Sequence, residues 1–113
     1  MTLLDTDVIE DYHAHVYYDA ASKAAAARLR AAVEARFEVT MGRWHEKPVG
    51  PHPRWSYQIA FKPALFGSLV PWLALNRDGL VIFVHPNTGH DLTDHAERAI
   101  WLGEKVALDL SVL

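Results

Sequence analysis

An alanine-rich helical stretch lodged between two β-like runs limits what this chain can fold into. Residues 20–36 are rich in alanine, the strongest helix former. Asp19 stands before them as an N-cap. Ala25, Leu29, Ala32 and Val33 fall at helical spacing and give a narrow apolar stripe. Small side chains there predict a helix lying close on its support. Before it, residues 9–18 are aromatic and β-branched, and after it Phe37, Val39 and Met41 alternate with Glu38, Thr40 and Gly42. A helix between two strands must cover one face of a sheet.

The rest of the chain repeats this unit in a split form. Residues 45–54 hold Pro48, Pro51, Pro53 and Gly50, which prevents regular structure and predicts a stiff loop. Residues 55–62 read as a third strand. Pro63 opens a second amphipathic helix, with Phe66, Leu69, Val70 and Leu73 on its apolar side and a bend near Pro71. Residues 79–85 read as a fourth, buried strand, and residues 86–89 as a turn. Asp94, Glu97 and Gly103 have the spacing of a capped third helix. Residues 106–113 alternate weakly, as an edge strand would.

The order β-α-β-β-α-β is the ferredoxin-like pattern. The predicted fold is α+β, an antiparallel sheet in strand order 4-1-3-2 with both helices on one face and an extra C-terminal helix. The first and third strands are expected to run parallel, and the fourth antiparallel to the first. One domain spans residues 1–113, with residues 1–8 as a loose leader.

Composition narrows the functional classes. Half of the 113 residues are hydrophobic and the net charge is −3, which argues against nucleic acid as a partner. There is no cysteine, so metal ligands must be His, Asp, Glu or Tyr, which favours iron, zinc or manganese. The same absence fits a reducing cytoplasm. Residues 1–7 lack a signal-peptide pattern, and no apolar run is long enough for a bilayer.

The chain has seven histidines, the commonest metal-ligand side chain and the one that titrates near neutrality. His13 and His15 alternate with Ala14 and so share one strand face, together with Tyr17. His52 precedes the third strand and His85 ends the fourth. In the predicted topology the starts of the first and third strands and the end of the fourth share one sheet edge, so the four converge. That arrangement suits a metal site or an acid–base site. His45 and His90 read as exposed loop residues, and His95 as a surface residue or a donor to bound substrate.

The ordered segments Tyr12-His13-Ala14-His15-Val16-Tyr17-Tyr18, Gly50-Pro51-His52-Pro53, Val70-Pro71-Trp72-Leu73, His85-Pro86-Asn87-Thr88-Gly89 and Asp94-His95 together resemble the DOPA 4,5-dioxygenase family of small ferredoxin-like proteins. The resemblance runs from about Glu10 to the C-terminus. It implies an extradiol dioxygenase that opens a catechol, such as 3,4-dihydroxyphenylalanine or a related catecholic acid, with Fe(II) and O₂. Zinc is the expected substitute in a purified sample. It also implies a homodimer, which fits a sheet face left uncovered by the two helices.

Under that resemblance His13, His15, His52 and His85 are the expected metal ligands. His52 is either a ligand or the acid–base, and His95 is its catalytic companion. Non-haem Fe(II) oxygenases often add a carboxylate. Glu46, Asp91 and Asp94 are the candidates, and an all-histidine site is the alternative. Tyr12, Tyr17, Trp44, Trp55 and Tyr57 are candidates for stacking a planar ring, and Arg43 and Arg77 for anchoring a carboxylate. Two rival readings use the same fold: a non-catalytic small-molecule-binding or regulatory dimer, or another metal-dependent enzyme at the same histidines.

Overall fold

Strand β1 (Asp11–Tyr18) runs through the middle of the sheet and carries the His-x-His pair. The computed structural model describes residues 2–113. After β1 come helix α1 (Lys23–Arg36), β2 (Thr40–Met41), β3 (Trp55–Phe61), α2 (Phe66–Asn76), β4 (Val81–Asn87), α3 (Asp91–Ala96) and β5 (Ile100–Leu102). The sheet order is β2-β3-β1-β4-β5 and every neighbouring pair is antiparallel. This is the α+β, ferredoxin-like order expected from the sequence, with a fifth strand added outside β4.

Period-2 alternation divides β1 between two environments. Ala14, Val16 and Tyr18 point to the helices and join a core with Leu29 and Val33 of α1 and Leu69 and Leu73 of α2. Each fully buried Leu contributes roughly 1.5–3 kcal/mol. Ala26 is buried against the sheet, and the Tyr57 hydroxyl donates to its carbonyl at 2.8 Å. Such close approach needs the small side chains of α1. His13, His15 and Tyr17 point to the opposite face.

The structure departs from the sequence expectations at six places. The third strand runs antiparallel to β1, since Trp55 lies opposite Tyr18 and Phe61 opposite Tyr12. The connection through residues 42–54 returns the chain antiparallel to β2, so the start of β3 lies at the far end of β1 from His13. The second strand holds only Thr40–Met41. Phe37 leaves the expected alternation to pack on Trp72 of α2, ring centroids 5.4 Å apart. The segment stays attached through Gly42 N–H to the Gln58 carbonyl and a bridge between His45 and Ser56. Helix α1 starts at Lys23, because Asp19 and Ser22 cap each other reciprocally at 2.9 Å and hold residues 20–22 in a turn.

The third helix lies earlier than Asp94 and Gly103 suggest. It spans Asp91–Ala96 with Asp94 inside it. Residues 100–102 are β5, which pairs with the otherwise bare edge of β4. The tail forms a 3-10 turn at Leu110–Val112 instead of an edge strand. Gly103 follows β5 at φ +99°, and a side chain there would meet the Arg77 guanidinium.

The sheet face opposite the helices, expected to be left uncovered, is covered in part by the chain itself. Tyr17, Val81 and Phe83 are buried there beneath Ala99, Trp101, Val106 and Leu108. The β3–β2 side of that face, around Gln58, Ala60 and Thr40, is partly or fully exposed, and His13 on β1 is half-buried. Residues 6–8 of the expected leader form a 3-10 turn with no buried side chain. No helix among the described residues is long and apolar enough to cross a membrane.

Asp94 holds α3 in place. Its buried carboxylate accepts from Thr88 N–H at 2.7 Å, Thr88 Oγ1 at 2.9 Å and Arg98 at 3.0 Å. Burial works to raise its pKa, but these hydrogen bonds outweigh burial and hold it low. Asp94→Ala is expected to cost about 2–3 kcal/mol, the range for lost hydrogen bonds to a charged group. The shift of the urea midpoint measures it, and an unchanged midpoint would rule out the clamp.

Candidate active site

Three histidines meet at the centre of the covered face. His13 and His15 are two residues apart on β1, and His85 lies directly opposite His13 on β4. One nitrogen from each lies within 4.8 Å of the other two. His15 Nε2 and His85 Nε2 are 3.1 Å apart. Two nitrogens at about 2.1 Å from one ion would subtend about 95° at that separation, a comfortable angle between neighbouring ligands. His85 Nδ1–H donates to the Pro86 carbonyl at 3.0 Å. That bond leaves Nε2 with a free lone pair, the arrangement metal-bound histidines adopt. His85 and His15 are buried and His13 is half-buried. These residues fit a transition-metal ion.

Two further histidines flank the three. His52 arrives on the proline-rich loop, and its ring centroid lies 4.1 Å from that of His15. Because β3 is antiparallel to β1, His52 approaches from the Tyr17 end, not from the His13 end. Its Nδ1 is 2.7 Å from the Tyr17 hydroxyl. The group of three that could hold a metal ion does not include it. On the other flank His95, in α3, lies 4.0 Å from His85 between ring centroids. Its Nδ1–H donates to the Asp91 carbonyl at 2.7 Å, so neutral His95 presents an accepting Nε2, not a donor.

His45 is not a plain surface residue. It lines a cleft of about 200 Å³ with His15, Gly50, His52, Ser56 and Gln58. His90 is exposed at the start of α3.

The site favours neutral imidazoles. Burial draws His85 down to about 3, helped by His95 and His13 and opposed by its bond to Pro86. Burial lowers His52 to about 4, with His95, His45 and His13 adding to the effect. His15 lies well below its ordinary value, first through burial and then through the surrounding imidazoles. Burial also lowers His13, against the pull of Asp11. Near neutral pH all four keep their lone pairs, as ligands and bases require.

None of the carboxylates considered from the sequence joins the cluster. Asp94 is taken by Thr88 and Arg98, Glu46 pairs with Lys23 at the surface, and Asp91 offers its backbone carbonyl to His95. Most of the candidate stacking residues lie on the helix side. Tyr12 packs on Phe61 and Phe66, and Trp44, Trp55 and Tyr57 gather around Tyr18. Arg77 donates to the Leu80 carbonyl, and Arg43 is an exposed residue outside the cluster. The ring beside the histidines is Phe83, 5.7 Å from His15 and 5.2 Å from His85 between centroids, with Trp101 stacked on it at 4.6 Å. Trp101 escaped sequence analysis because its segment reads as helix.

Residues 12–112 match the Dopa 4,5-dioxygenase family. The chain belongs to this family. A DOPA 4,5-dioxygenase of Amanita muscaria is 38% identical over 99% of this chain and 53% of its own length. An uncharacterized 21.2 kDa protein of Botryotinia fuckeliana is 35% identical over 97% of this chain and 67% of its own. The chain thus spans about half to two thirds of these curated relatives. A crystal structure of a "putative dioxygenase" from Nostoc punctiforme PCC 73102 is 54% identical, covers 97% of this chain and 96% of its own, and superposes with a TM-score of 0.96. Membership in the Dopa 4,5-dioxygenase family supports an oxygenase acting on a small molecule with O₂.

Proposed function

We propose that the protein is an extradiol ring-cleaving dioxygenase. It uses Fe(II) held by His13, His15 and His85 to open a catechol such as 3,4-dihydroxyphenylalanine or a related catecholic acid. The observation that carries this reading is the meeting of three neutral imidazole nitrogens within 4.8 Å of one another in a Dopa 4,5-dioxygenase family chain. Bound iron supplies positions at which a catechol and O₂ are brought together. Zinc, which takes the same ligands, is the expected substitute after purification.

The protein's own groups supply the proton chemistry. His95 Nε2, left accepting by the bond to Asp91, takes a proton from a catechol hydroxyl. His52 lines the cleft beside His15 and serves on the opposite flank as the acid, or as a fourth ligand. Phe83, packed beside His15 and His85 and covered by Trp101, makes one side of the site apolar. General acid–base groups of this kind contribute about 10²–10⁴-fold.

Anaerobic loading with Fe(II), followed by a catechol and ¹⁸O₂, tests the proposal. A yellow ring-opened semialdehyde acid carrying both labelled atoms is expected. Stoichiometric iron with no oxygen uptake across a catechol panel would reject it and favour a binding role or other metal chemistry.

The working unit is proposed to be a homodimer. Half-buried His13 and the exposed β3–β2 side of the sheet face support it, since a second copy there would shield the open side of each site. Light scattering at micromolar concentration is expected to give twice the monomer mass of 12.7 kDa. A monomer at that concentration would refute the dimer.

A further inference from the structure

We infer that Tyr17 is a positioning residue whose hydroxyl holds His52 as its Nε2–H tautomer. His52 is then a hydrogen-bond donor to substrate and not a ligand of the metal. The inference rests on the reading of the cleft as the substrate site.

Tyr17 is 2% exposed, and its hydroxyl lies 2.7 Å from His52 Nδ1. No other partner of that hydroxyl is found among the described residues. If Nδ1 donated, the phenol proton would be buried with nothing to accept it, an arrangement native interiors avoid. The phenol therefore donates and Nδ1 accepts. A neutral imidazole that accepts at Nδ1 carries its proton on Nε2. A nitrogen that holds a proton has no lone pair for a metal.

The partners of the neighbouring imidazoles are chosen the opposite way. His85 and His95 each meet a backbone carbonyl at Nδ1, 3.0 and 2.7 Å away. A carbonyl can only accept, so both rings keep Nδ1–H and present a bare Nε2. One cluster thus holds two tautomers, fixed by carbonyls on one side and a phenol on the other. The bare nitrogens suit metal binding and proton abstraction. His52 lines the cleft shared with His15 and Gln58, and its Nε2–H is the donor it can offer there to a substrate oxygen that gains negative charge.

The test reads the tautomer directly. Long-range ¹H–¹⁵N correlation on ¹⁵N-labelled protein, metal-free and loaded with Zn(II), is expected to show a pyrrole-type Nε2 and a pyridine-type Nδ1 for His52 in both states. His15 and His85 should shift on zinc binding while His52 keeps its pattern. Tyr17→Phe should turn His52 into a mixture of tautomers without loss of zinc stoichiometry. In the iron-loaded enzyme the same variant should lower kcat for a catechol by about 10–100-fold, part of the usual acid–base contribution, with KM unchanged. A protonated Nδ1 in the wild type, or coordination shifts at His52 on zinc loading, overturns the inference. Absent ring cleavage in the wild type rejects the dioxygenase reading alone, because the tautomer and zinc results still decide the role of Tyr17.

Discussion

Replacing His85 by alanine is expected to abolish stoichiometric iron binding and, with it, ring cleavage. His85 is the one member of the three on β4, and its Nε2 is oriented by the Nδ1 bond to Pro86. Without it, His13 and His15 remain on a single strand, their ring centroids 5.8 Å apart and near perpendicular. Losing a group that merely orients a ligand typically lowers metal affinity 10–100-fold. Losing the ligand should therefore cost more than about 100-fold. Since His85 is fully buried, its removal also leaves a cavity. His13→Ala, at a half-exposed position, should lose the metal with less disturbance of the fold. His90→Ala, on the exposed start of α3, should keep it. Metal content after exhaustive buffer exchange, with circular dichroism as the fold control, decides the matter. Full occupancy in His85→Ala would contradict this ligand assignment.

The metal-free protein is expected to lose stability steeply as the pH falls below about 6.5. In the unfolded chain each histidine binds a proton near pH 6.5. In the fold, burial holds His52 near 4 and His85 near 3. Above 6.5 both states are neutral at these residues and stability is complete. Between about 6.5 and 4 the unfolded chain takes up protons that the folded chain refuses, so acid favours unfolding. Each such histidine changes stability by about 1.4 kcal/mol per pH unit. His52 and His85 together should cost about 3 kcal/mol between pH 6.5 and 5, and His15, shifted in the same direction, adds to this. Below about 4 the slope eases as His52 protonates within the fold. Urea midpoints at pH 7, 6 and 5 measure the effect. A flat profile would mean that these imidazoles are already charged or solvated in the folded protein.

The parts of the fold with a clear period could be read from the sequence. The His-x-His alternation put His13 and His15 on one face, and the β4 register set His85 opposite His13. The helices and the strand order followed from apolar spacing and from the sequence of elements. The direction of β3 did not, because periodicity gives a strand its faces but not its sense. The approach of His52 was lost with it, as Pro48, Pro51 and Pro53 mark a stiff loop without saying where it leads. At Asp94 and Glu97 a capping-box spacing concealed a buried carboxylate clamp, with the real helix starting four residues earlier. Strand β5 has three residues, too few to show alternation. The Tyr17–His52 bond joins a strand to an irregular loop, so no spacing rule announces it.

An iron-loaded crystal structure with anomalous diffraction at the iron edge tests the central claim most directly. The predicted result is one ion per chain, with His13, His15 and His85 nitrogens at roughly 2.0–2.2 Å, His15 and His85 binding through Nε2, and Tyr17 still on His52 Nδ1. Iron bound elsewhere, or held without His85, would contradict it.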